Sequence, residues 1–355
     1  MKAWSNINGL FDTLSDKPNN KILNMEEKRL AFRKAREAKI GGKFLAYGYE
    51  GSGKSWFALT FPKVACIDSE TGIAHYEGKD ITLANGKTYN NLVLVDDTSD
   101  LDDLEDDIDE AVDSDEIQTL SIDSETKFYA TMQVGATEVE EKKARRKGGD
   151  VDDTVVSQRQ WGRIKIINMK LQQAKIDLSS KGKHVVSVAQ ATEVYEGTGD
   201  NRKLVGIKPD MHKSVKFDYD TILEFYKEEN GDDVRYFAKV KKDRTNVTKV
   251  GQIIENPSYD IWKDYFESMN GLDTNETTYK QDIKTSTESM VDQAEKAEEL
   301  AAEFKDVLKS LKENKDALLK VNKLMKEKEV DLKKLEMQTP ETLTELIDFA
   351  KLQLS

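Results

Sequence analysis

The sequence of 355 residues contains one cysteine and three histidines, and it has no apolar run long enough to cross a membrane. Cys66 alone can form neither an internal disulfide nor a cysteine-based zinc site, and it fits a reducing cytosol. His75, His184 and His212 are too few and too scattered for a histidine-metal site. An N-terminal signal segment is also missing, so we expect a cytoplasmic protein without a membrane partner.

Basic residues are missing from one segment, and this segment accounts for the net charge of −13. Between Asp96 and Glu116 there are thirteen acidic residues and no lysine or arginine. Of 67 acidic residues in the chain, 54 therefore lie elsewhere, and they balance the 54 basic residues. We expect the acidic segment to be a solvated helix with its flanks, so the net charge does not exclude a nucleic-acid partner.

Short apolar runs alternate with helix-length segments from residue 44 onward. This alternation favours an α/β fold with a mostly parallel sheet covered on both faces. Beyond Asp218 the pattern changes to consecutive strands with a turn at Asn230-Gly231, which indicates antiparallel hairpins. The predicted strands are Phe44–Tyr47, Val64–Ile67, Leu92–Val95, Leu120–Ile122, Val185–Ala189, Thr221–Tyr226, Val234–Val240 and Val250–Ile254.

The strongest motif is Gly48-Tyr49-Glu50-Gly51-Ser52-Gly53-Lys54-Ser55, which matches G-x-x-x-x-G-K-[ST] between a predicted strand and a predicted helix. Its glycines let successive N–H groups turn toward phosphate oxygens. Lys54 would reach the β- and γ-phosphates, and the Ser55 hydroxyl would ligate magnesium. We therefore predict ATP and Mg²⁺ as cofactors, with Trp56 as the last residue of the nucleotide site.

Three further polar side chains follow other predicted strands. Asp123 ends the strand Leu120–Ile122 and is predicted to hold magnesium; the alternative is a helix cap. Because residue 124 is serine rather than glutamate, the base that activates water must come from elsewhere. Glu70 is the candidate, with a helix first-turn acid as the alternative. Gln190 would sense the γ-phosphate, so Glu70, Lys54 and Gln190 are the predicted catalytic residues.

Taken in order, the segments GYEGSGKS, IDSE, SIDS and SVAQ resemble the core of the RecA-type recombinases, over roughly residues 40–255. The details are most similar to the phage-encoded RecA-like ATPases of the single-strand annealing type, a family of phage nucleotide-binding proteins. The resemblance implies a RecA-like P-loop NTPase core with a mostly parallel central sheet. It also implies ATP hydrolysis, self-assembly into a ring or filament, and a location in the host cytoplasm.

The same resemblance implies that cations at the end of one strand enter the nucleotide site of the neighbouring subunit. Lys242 and Arg244 occupy the matching positions. Physically, a cation supplied in trans stabilises transition-state charge and couples hydrolysis to assembly. The alternative is that both residues belong to a charged hairpin edge.

Two stretches are predicted to be irregular loops, and in RecA-like cores loops at these places line a channel for single-stranded DNA. The first covers residues 135–156, and the second runs from Ala191 to Lys216 with Tyr195 available for base stacking. Cations in these loops would contact phosphates, and solvated disordered loops are the alternative. The DNA-binding candidates are Lys142, Lys143, Arg145, Arg146, Lys147, Arg202 and Lys203.

Four segments are expected along the chain. Residues 1–40 form a helical oligomerisation segment, with a helix over Glu26–Lys39 and with Phe11 able to dock on a neighbour or in a local core. The ATPase core covers residues 41–269, and a Thr- and Asn-rich linker covers residues 270–287. Residues 288–355 form a helical module, in which Thr339-Pro340 starts a helix. The module is predicted to bind another protein or to serve oligomerisation, with a solvated appendage as the alternative.

We therefore expect a DNA-stimulated ATPase that binds single-stranded DNA and promotes annealing or homologous recombination. Its C-terminal helices would contact a single-strand binding protein or another replication or recombination protein. Two alternatives stay open: a nucleotide-gated regulatory module with little hydrolysis, and a small-molecule kinase. The kinase is disfavoured because no Arg-rich lid follows the core and the basic stretch suits a polymer.

Overall fold

The structure is a computed structural model, and it describes residues 34–151, 154–231 and 233–354. The chain divides into the units Met1–Glu37 and Ala38–Ser355, and the fold below belongs to the second. Phe11 and most of the predicted helix Glu26–Lys39 lie outside the described residues. Residues 34–38 are not helical, and Lys39 forms an isolated bridge, so the predicted end of that helix is wrong.

Strands and helices alternate through the first two thirds of the described chain, and helices follow. The strands are β1 Lys43–Gly48, β2 Val64–Asp68, β3 Ile81–Thr82, β4 Thr88–Tyr89, β5 Leu92–Asp96, β6 Thr119–Asp123, β7 His184–Glu196, β8 Lys203–Pro209, β9 Thr221–Asn230, β10 Asp233–Asp243 and β11 Ile253–Glu255. The helices are α1 Lys54–Leu59, α2 Leu101–Asp113, α3 Glu125–Arg146, α4 Gln158–Ser180, α5 Asp260–Glu267, α6 Tyr279–Ser310, α7 Lys315–Glu327 and α8 Pro340–Leu352. In the ranges that the structure covers, no helix is long and apolar enough to cross a bilayer.

One mixed sheet organises the described chain, in the order β11-β10-β9-β1-β7-β6-β2-β5. The six strands from β9 to β5 are parallel, whereas β10 and β11 are antiparallel to their neighbours. The expected α/β class with a mostly parallel central sheet is therefore confirmed, as are the antiparallel strands after residue 218. β3 and β4 form a separate two-stranded hairpin that the sequence patterns did not indicate.

Alternating side chains of the central strand β1 supply the cores on both faces of the sheet. Phe44 and Ala46 pack on one face with aromatic residues of α1 and α5, including Phe57 and Trp262. Leu45 and Tyr47 pack on the other face. Because β1 is covered on both faces, its sequence is continuously apolar rather than alternating.

The acidic segment contains the amphipathic helix α2. Asp100 caps its start by accepting hydrogen bonds from the N–H groups of residues 102 and 103. Leu104, Ile108 and Ala111 are buried at helical spacing, while most of the carboxylates face outward and Asp107 is partly buried. The expectation of a solvated helix within this segment is confirmed.

The C-terminal helices α6, α7 and α8 pack around their own apolar core, which includes Phe304, Val321 and Leu346. Thr339 caps α8 and Pro340 is its first residue, as predicted. The predicted linker 270–287 needs correction, because α6 already begins at Tyr279. Asp177 of α4 accepts hydrogen bonds from the first N–H groups of α6, which fixes that start on the core.

Candidate functional site

The loop between β1 and α1 has the backbone shape that its glycines permit. Gly51 and Gly53 have φ angles of 63° and 91°, in the left-handed region that other residues disfavour. A Cβ on Gly48 would lie 2.3 Å from the carbonyl oxygen of Phe225 on the neighbouring strand. The Lys54 ammonium donates to the carbonyl oxygens of Gly48 at 3.1 Å and Tyr49 at 2.7 Å. The loop thus presents main-chain N–H groups and one cation to an anion.

Ser55 and Asp123 come together although they are far apart in the chain. The Ser55 hydroxyl donates to Asp123 Oδ2 at 2.5 Å, and the Asp123 carboxyl is almost fully buried. Burial raises the pKa of Asp123 to about 6, with the Ser55 hydrogen bond acting in the opposite direction. A hydroxyl beside a desolvated carboxylate is an oxygen donor set that fits Mg²⁺. These two residues would hold the ion, which supplies positive charge at the phosphate oxygens when bound.

Glu70 follows β2 and lies against the ends of two other strands. Its Oε1 accepts hydrogen bonds from Ser124 Oγ at 2.6 Å and from Gln190 Nε2 at 2.7 Å. Asp68 shapes the turn that carries it, because its two oxygens accept from the N–H groups of Glu70 and Ile73. The Glu70 carboxylate is therefore held by donors at the ends of two other strands, its backbone N–H is held by Asp68, and Glu70 does not sit in a helix first turn.

Strand order explains why these residues meet. β1, β7, β6 and β2 are parallel neighbours, so their carboxyl ends share one edge of the sheet. In register, Gly48 pairs with Gln190, and Asp68 pairs with Asp123. Ligands in open α/β sheets bind at this edge. Burial lowers the pKa of Lys54, and the nearby carboxylates of Asp123 and Glu70 oppose that effect. The predicted set Lys54, Glu70, Asp123 and Gln190 lies together, while the role of each residue stays a prediction.

An aromatic wall beside the loop escaped the sequence patterns. The Trp56 ring lies 6.1 Å from that of Tyr236 on β10 and 6.4 Å from that of Tyr76. A Cβ on Gly53 would touch Tyr236 at 3.4 Å, so this wall adjoins the anion loop directly. No local motif could have found Tyr236, because its approach depends on the pairing of β10 with β9.

Lys242 and Arg244 lie at the opposite edge of the sheet from the anion loop. Asp243, between them, pairs with Thr221 at the start of β9, whereas the loop leaves the far end of β1. Lys242 donates to the carbonyl oxygens of Phe217 and Tyr219, and Arg244 pairs with Asp220. Neither residue reaches the loop of its own chain, so a contact with nucleotide would need a second subunit.

The first predicted DNA loop is wrong in its secondary structure, because α3 continues to Arg146. Glutamates one turn earlier stabilise this helix. Lys142 pairs with Glu138 at 3.5 Å and Arg145 pairs with Glu141 at 3.2 Å. The remaining pair joins Lys143 and Glu140 at 2.7 Å. Three of the five cations here are thus paired with glutamates. Of the described residues between α3 and α4, 147–151 and 154–157 have no regular structure.

The second predicted loop is also wrong, because it is mostly a hairpin. β7 extends to Glu196 and pairs with β8, so Lys203 begins a strand and Arg202 precedes it. The Arg202 guanidinium lies 4.0 Å above the Tyr195 ring, a cation–π contact. Tyr49 of the anion loop donates to Glu193 of this hairpin at 3.3 Å. The β-branched and aromatic residues in 191–196 and 203–209, on either side of Gly197 and Gly199, could have indicated the hairpin.

A surface that the sequence patterns indicated only in part lies on α4 and around the adjoining 3₁₀ turn. Its residues Lys213 and Lys216 belong to the second predicted loop, whereas its α4 residues were not predicted. We call it the basic-aromatic surface and define it by Trp161, Lys165, Lys213, Lys216 and Phe217. Trp161 stands at helical spacing from the buried residues Ile164 and Leu171, yet 43% of it is exposed, as is 66% of Phe217. The Lys216 ammonium lies 5.6 Å from the Phe217 ring centre.

The two parts of the basic-aromatic surface are in contact. α4 packs against the 3₁₀ turn Val215–Phe217. Burial lowers the pKa of His212, and the nearby charges of Lys213 and Lys165 lower it further. Within the described ranges, none of the three lysines of this surface forms a salt bridge. The surface therefore combines unneutralised cations with exposed rings.

Comparison with known proteins gives one family match. The family model described as an AAA domain matches residues 40–250. No curated protein matches the chain. The chain is similar to the crystal structure of the RadB recombinase, with 14% sequence identity and a TM-score of 0.37. The alignment covers 61% of this chain and 87% of that one. The flagellar accessory protein FlaH from Methanocaldococcus jannaschii is 10% identical with a TM-score of 0.33, covering 61% of this chain and 85% of that one.

Proposed function

Because the chain belongs to the AAA-domain family, we propose that it binds Mg-ATP at Gly48–Ser55 and hydrolyses it. We propose further that it binds single-stranded DNA and promotes annealing or homologous recombination. The observation that carries the first part is the convergence of Glu70, Asp123 and Gln190 on the edge of the sheet where the anion loop lies.

In this proposal Glu70 is the general base. Its carboxylate takes a proton from water as the water oxygen bonds to the γ-phosphorus, and the bond to the β–γ bridging oxygen breaks to release ADP. The donors Ser124 and Gln190 hold Glu70 through one oxygen, Oε1, which leaves Oε2 for the water. Lys54 and the loop N–H groups stabilise charge on the phosphate oxygens.

The test of hydrolysis is phosphate release from ATP by the full chain, with and without single-stranded DNA. Turnover that rises with DNA supports the proposal. Tight ATP binding without turnover would instead favour the nucleotide-gated regulatory module. Transfer of the phosphoryl group to a small molecule rather than to water would favour the kinase.

The basic-aromatic surface supports the DNA part of the proposal. Its cations can contact phosphates, and its exposed rings can stack on bases. Its α4 residues Trp161 and Lys165 lie toward the strand edge that carries the anion loop, because α4 packs on β7 and ends just before that strand begins. Phe217 lies toward the other edge, where Lys242 donates to its carbonyl oxygen. The α3 cations are a weaker candidate, since glutamates already pair with three of them.

Two matched triple variants separate these surfaces. Replacing Lys165, Lys213 and Lys216 by alanine should lower affinity for single-stranded DNA. It should also reduce the salt slope by about 2, since each lost phosphate contact contributes roughly 0.7. The control replaces Lys142, Lys143 and Arg145 by alanine and should change neither quantity. The opposite pattern would assign DNA binding to α3, and no binding by the wild type would refute this part of the proposal.

The proposal of self-association comes from Lys242 and Arg244, which lie away from the anion loop of their own chain. We propose that Lys242 and Arg244 contact the nucleotide of a neighbouring subunit, with the C-terminal helices free to bind another recombination protein. Light scattering with ATP should then show assembly that Arg244→Ala reduces. A particle of constant monomeric mass under all nucleotide conditions would contradict it.

A further inference from the structure

Four polar side chains meet in the core between the sheet and helices α3 and α4. Oε1 of Glu125 accepts hydrogen bonds from Ser187 at 2.8 Å and Tyr219 at 3.0 Å, and it pairs with the Lys175 ammonium. The Lys175 ammonium also lies 3.4 Å from the Ser187 hydroxyl and 3.3 Å from the Tyr219 hydroxyl. We call these residues the buried cluster.

Burying this cluster is costly. Burial lowers the pKa of Lys175 to about 7, which shows how strongly the core disfavours its charge. Apolar residues of similar volume are often as stable as a buried ion pair, or more so. Packing alone therefore does not explain why an ion pair is buried here. The contacts of the buried cluster with neighbouring residues indicate its role.

On one side the buried cluster adjoins the residues that hold Glu70. Glu125 directly follows Ser124, whose hydroxyl donates to Glu70. Ser187 lies three residues before Gln190 on β7, and the Gln190 amide is the second donor to Glu70. A shift of Glu125 relative to β7 would change both hydrogen bonds to Glu70.

On the other side the cluster adjoins the basic-aromatic surface. Lys175 lies on α4, the helix that carries Lys165. Tyr219 follows the 3₁₀ turn that carries Phe217. Lys175 of α4 and Tyr219, two residues after the turn, thus both contact Oε1 of Glu125.

We propose that Glu125, Lys175 and Tyr219 are positioning residues through which single-stranded DNA on the basic-aromatic surface sets the orientation of Glu70. DNA that draws α4 and the 3₁₀ turn together changes the donors to Glu125, and with them the contacts of Ser124 and Gln190. The inference rests on the proposed function and adds its regulation. Since binding linkage is reciprocal, nucleotide must alter DNA affinity through the same cluster.

The variant that tests the cluster is Tyr219→Phe, which removes one hydroxyl and keeps the buried ring. The matched control is Tyr259→Phe, another buried tyrosine, whose hydroxyl lies 3.4 Å from His184 and away from the cluster. Phosphate release is measured with and without single-stranded DNA, together with KM for ATP. DNA affinity is measured with and without a non-hydrolysable ATP analogue.

We expect Tyr219→Phe to reduce the ratio of DNA-stimulated to basal kcat by roughly 2- to 30-fold, with KM for ATP changing less than about 2-fold. The effect of the analogue on DNA affinity should fall as well. The control should keep both effects. A loss of packing alone would lower the basal and the stimulated rate together and leave their ratio unchanged.

Each outcome decides something. Full stimulation in Tyr219→Phe would overturn the inference and leave the proposed function intact. A wild type that hydrolyses ATP but ignores DNA would overturn both the inference and the DNA part of the proposal. If Tyr219→Phe melts well below the wild type, Ser187→Ala replaces it, since it removes another hydrogen bond to Glu125, and the same ratio decides.

Discussion

Replacing Asp123 by asparagine should stabilise the protein without nucleotide, and more so as the pH rises. Asp123 is almost fully buried, and burial holds its pKa at about 6 rather than 3.8. Below pH 3.8 the carboxyl is protonated in the folded and unfolded states alike, so it costs nothing. Between 3.8 and about 6 the unfolded chain ionises first, so folding stability falls. Above 6 the full cost of a buried charge is present.

The asparagine side chain does not ionise, and its carbonyl oxygen can still accept the hydrogen bond from the Ser55 hydroxyl. Converted by linkage, the pKa difference gives a gain in unfolding free energy of about 1.5 kcal/mol at pH 5 and about 3 kcal/mol at pH 8. The assay is urea unfolding followed by tryptophan fluorescence, in buffer with a chelator and without nucleotide. The same variant should lose Mg²⁺-dependent ATP binding, which is the usual trade between stability and function.

The matched control is Asp68→Asn at the end of the neighbouring strand. Asp68 is also buried, but its two oxygens accept separate backbone N–H bonds, and an amide has only one acceptor oxygen. We expect the unfolding free energy of Asp68→Asn to be lower than that of the wild type by about 1 to 3 kcal/mol. A gain for Asp123→Asn that stays flat or shrinks between pH 5 and pH 8 would refute the assignment of a costly buried charge.

Three further predictions concern other parts of the molecule. Phe304→Ala should lower the unfolding free energy of the C-terminal helices by about 3 to 5 kcal/mol, because Phe304 is fully buried there. Hydrogen exchange should become faster in α6–α8, and faster exchange in β1 as well would contradict the separate core. Gly53→Ala should weaken ATP binding about tenfold, because the φ of 91° at this position is strained for alanine. Gly72→Ala should leave ATP binding unchanged, since a Cβ there meets open space. Equal ATP binding by Gly53→Ala and the wild type would refute the predicted backbone strain. Gln190→Ala should abolish nucleotide-dependent changes in hydrogen exchange of β7 and β8, and unchanged responses would show that another contact senses the γ-phosphate.

The anion loop and the strands around it could be predicted because their signals are local. Gly51 and Gly53 stand where the turn needs a left-handed backbone, and buried parallel strands such as β1 are continuously apolar. The convergence of Glu70 and Asp123 was inferred from a general property of parallel sheets, without any contact between them being visible in the sequence.

The DNA-binding segments were harder to predict because charge alone does not give conformation. The basic run before Gly148 follows glutamates at helical spacing, and these pairs extend α3 instead of leaving a loop. Trp161 fits the apolar stripe of α4 by spacing, yet it lies near the exposed end of that helix. The aromatic wall at Tyr236 and the cluster at Glu125 depend on contacts across the fold that no window of sequence contains.

The most direct test of the proposed catalytic site compares Glu70→Gln with the wild type. Both proteins receive saturating Mg-ATP and single-stranded DNA, and phosphate release and ATP affinity are measured. Because glutamine keeps the shape of the side chain but cannot take a proton, kcat should fall by about 10²- to 10⁴-fold while ATP affinity changes little. Phosphate release at the wild-type rate would show that Glu70 is not the base.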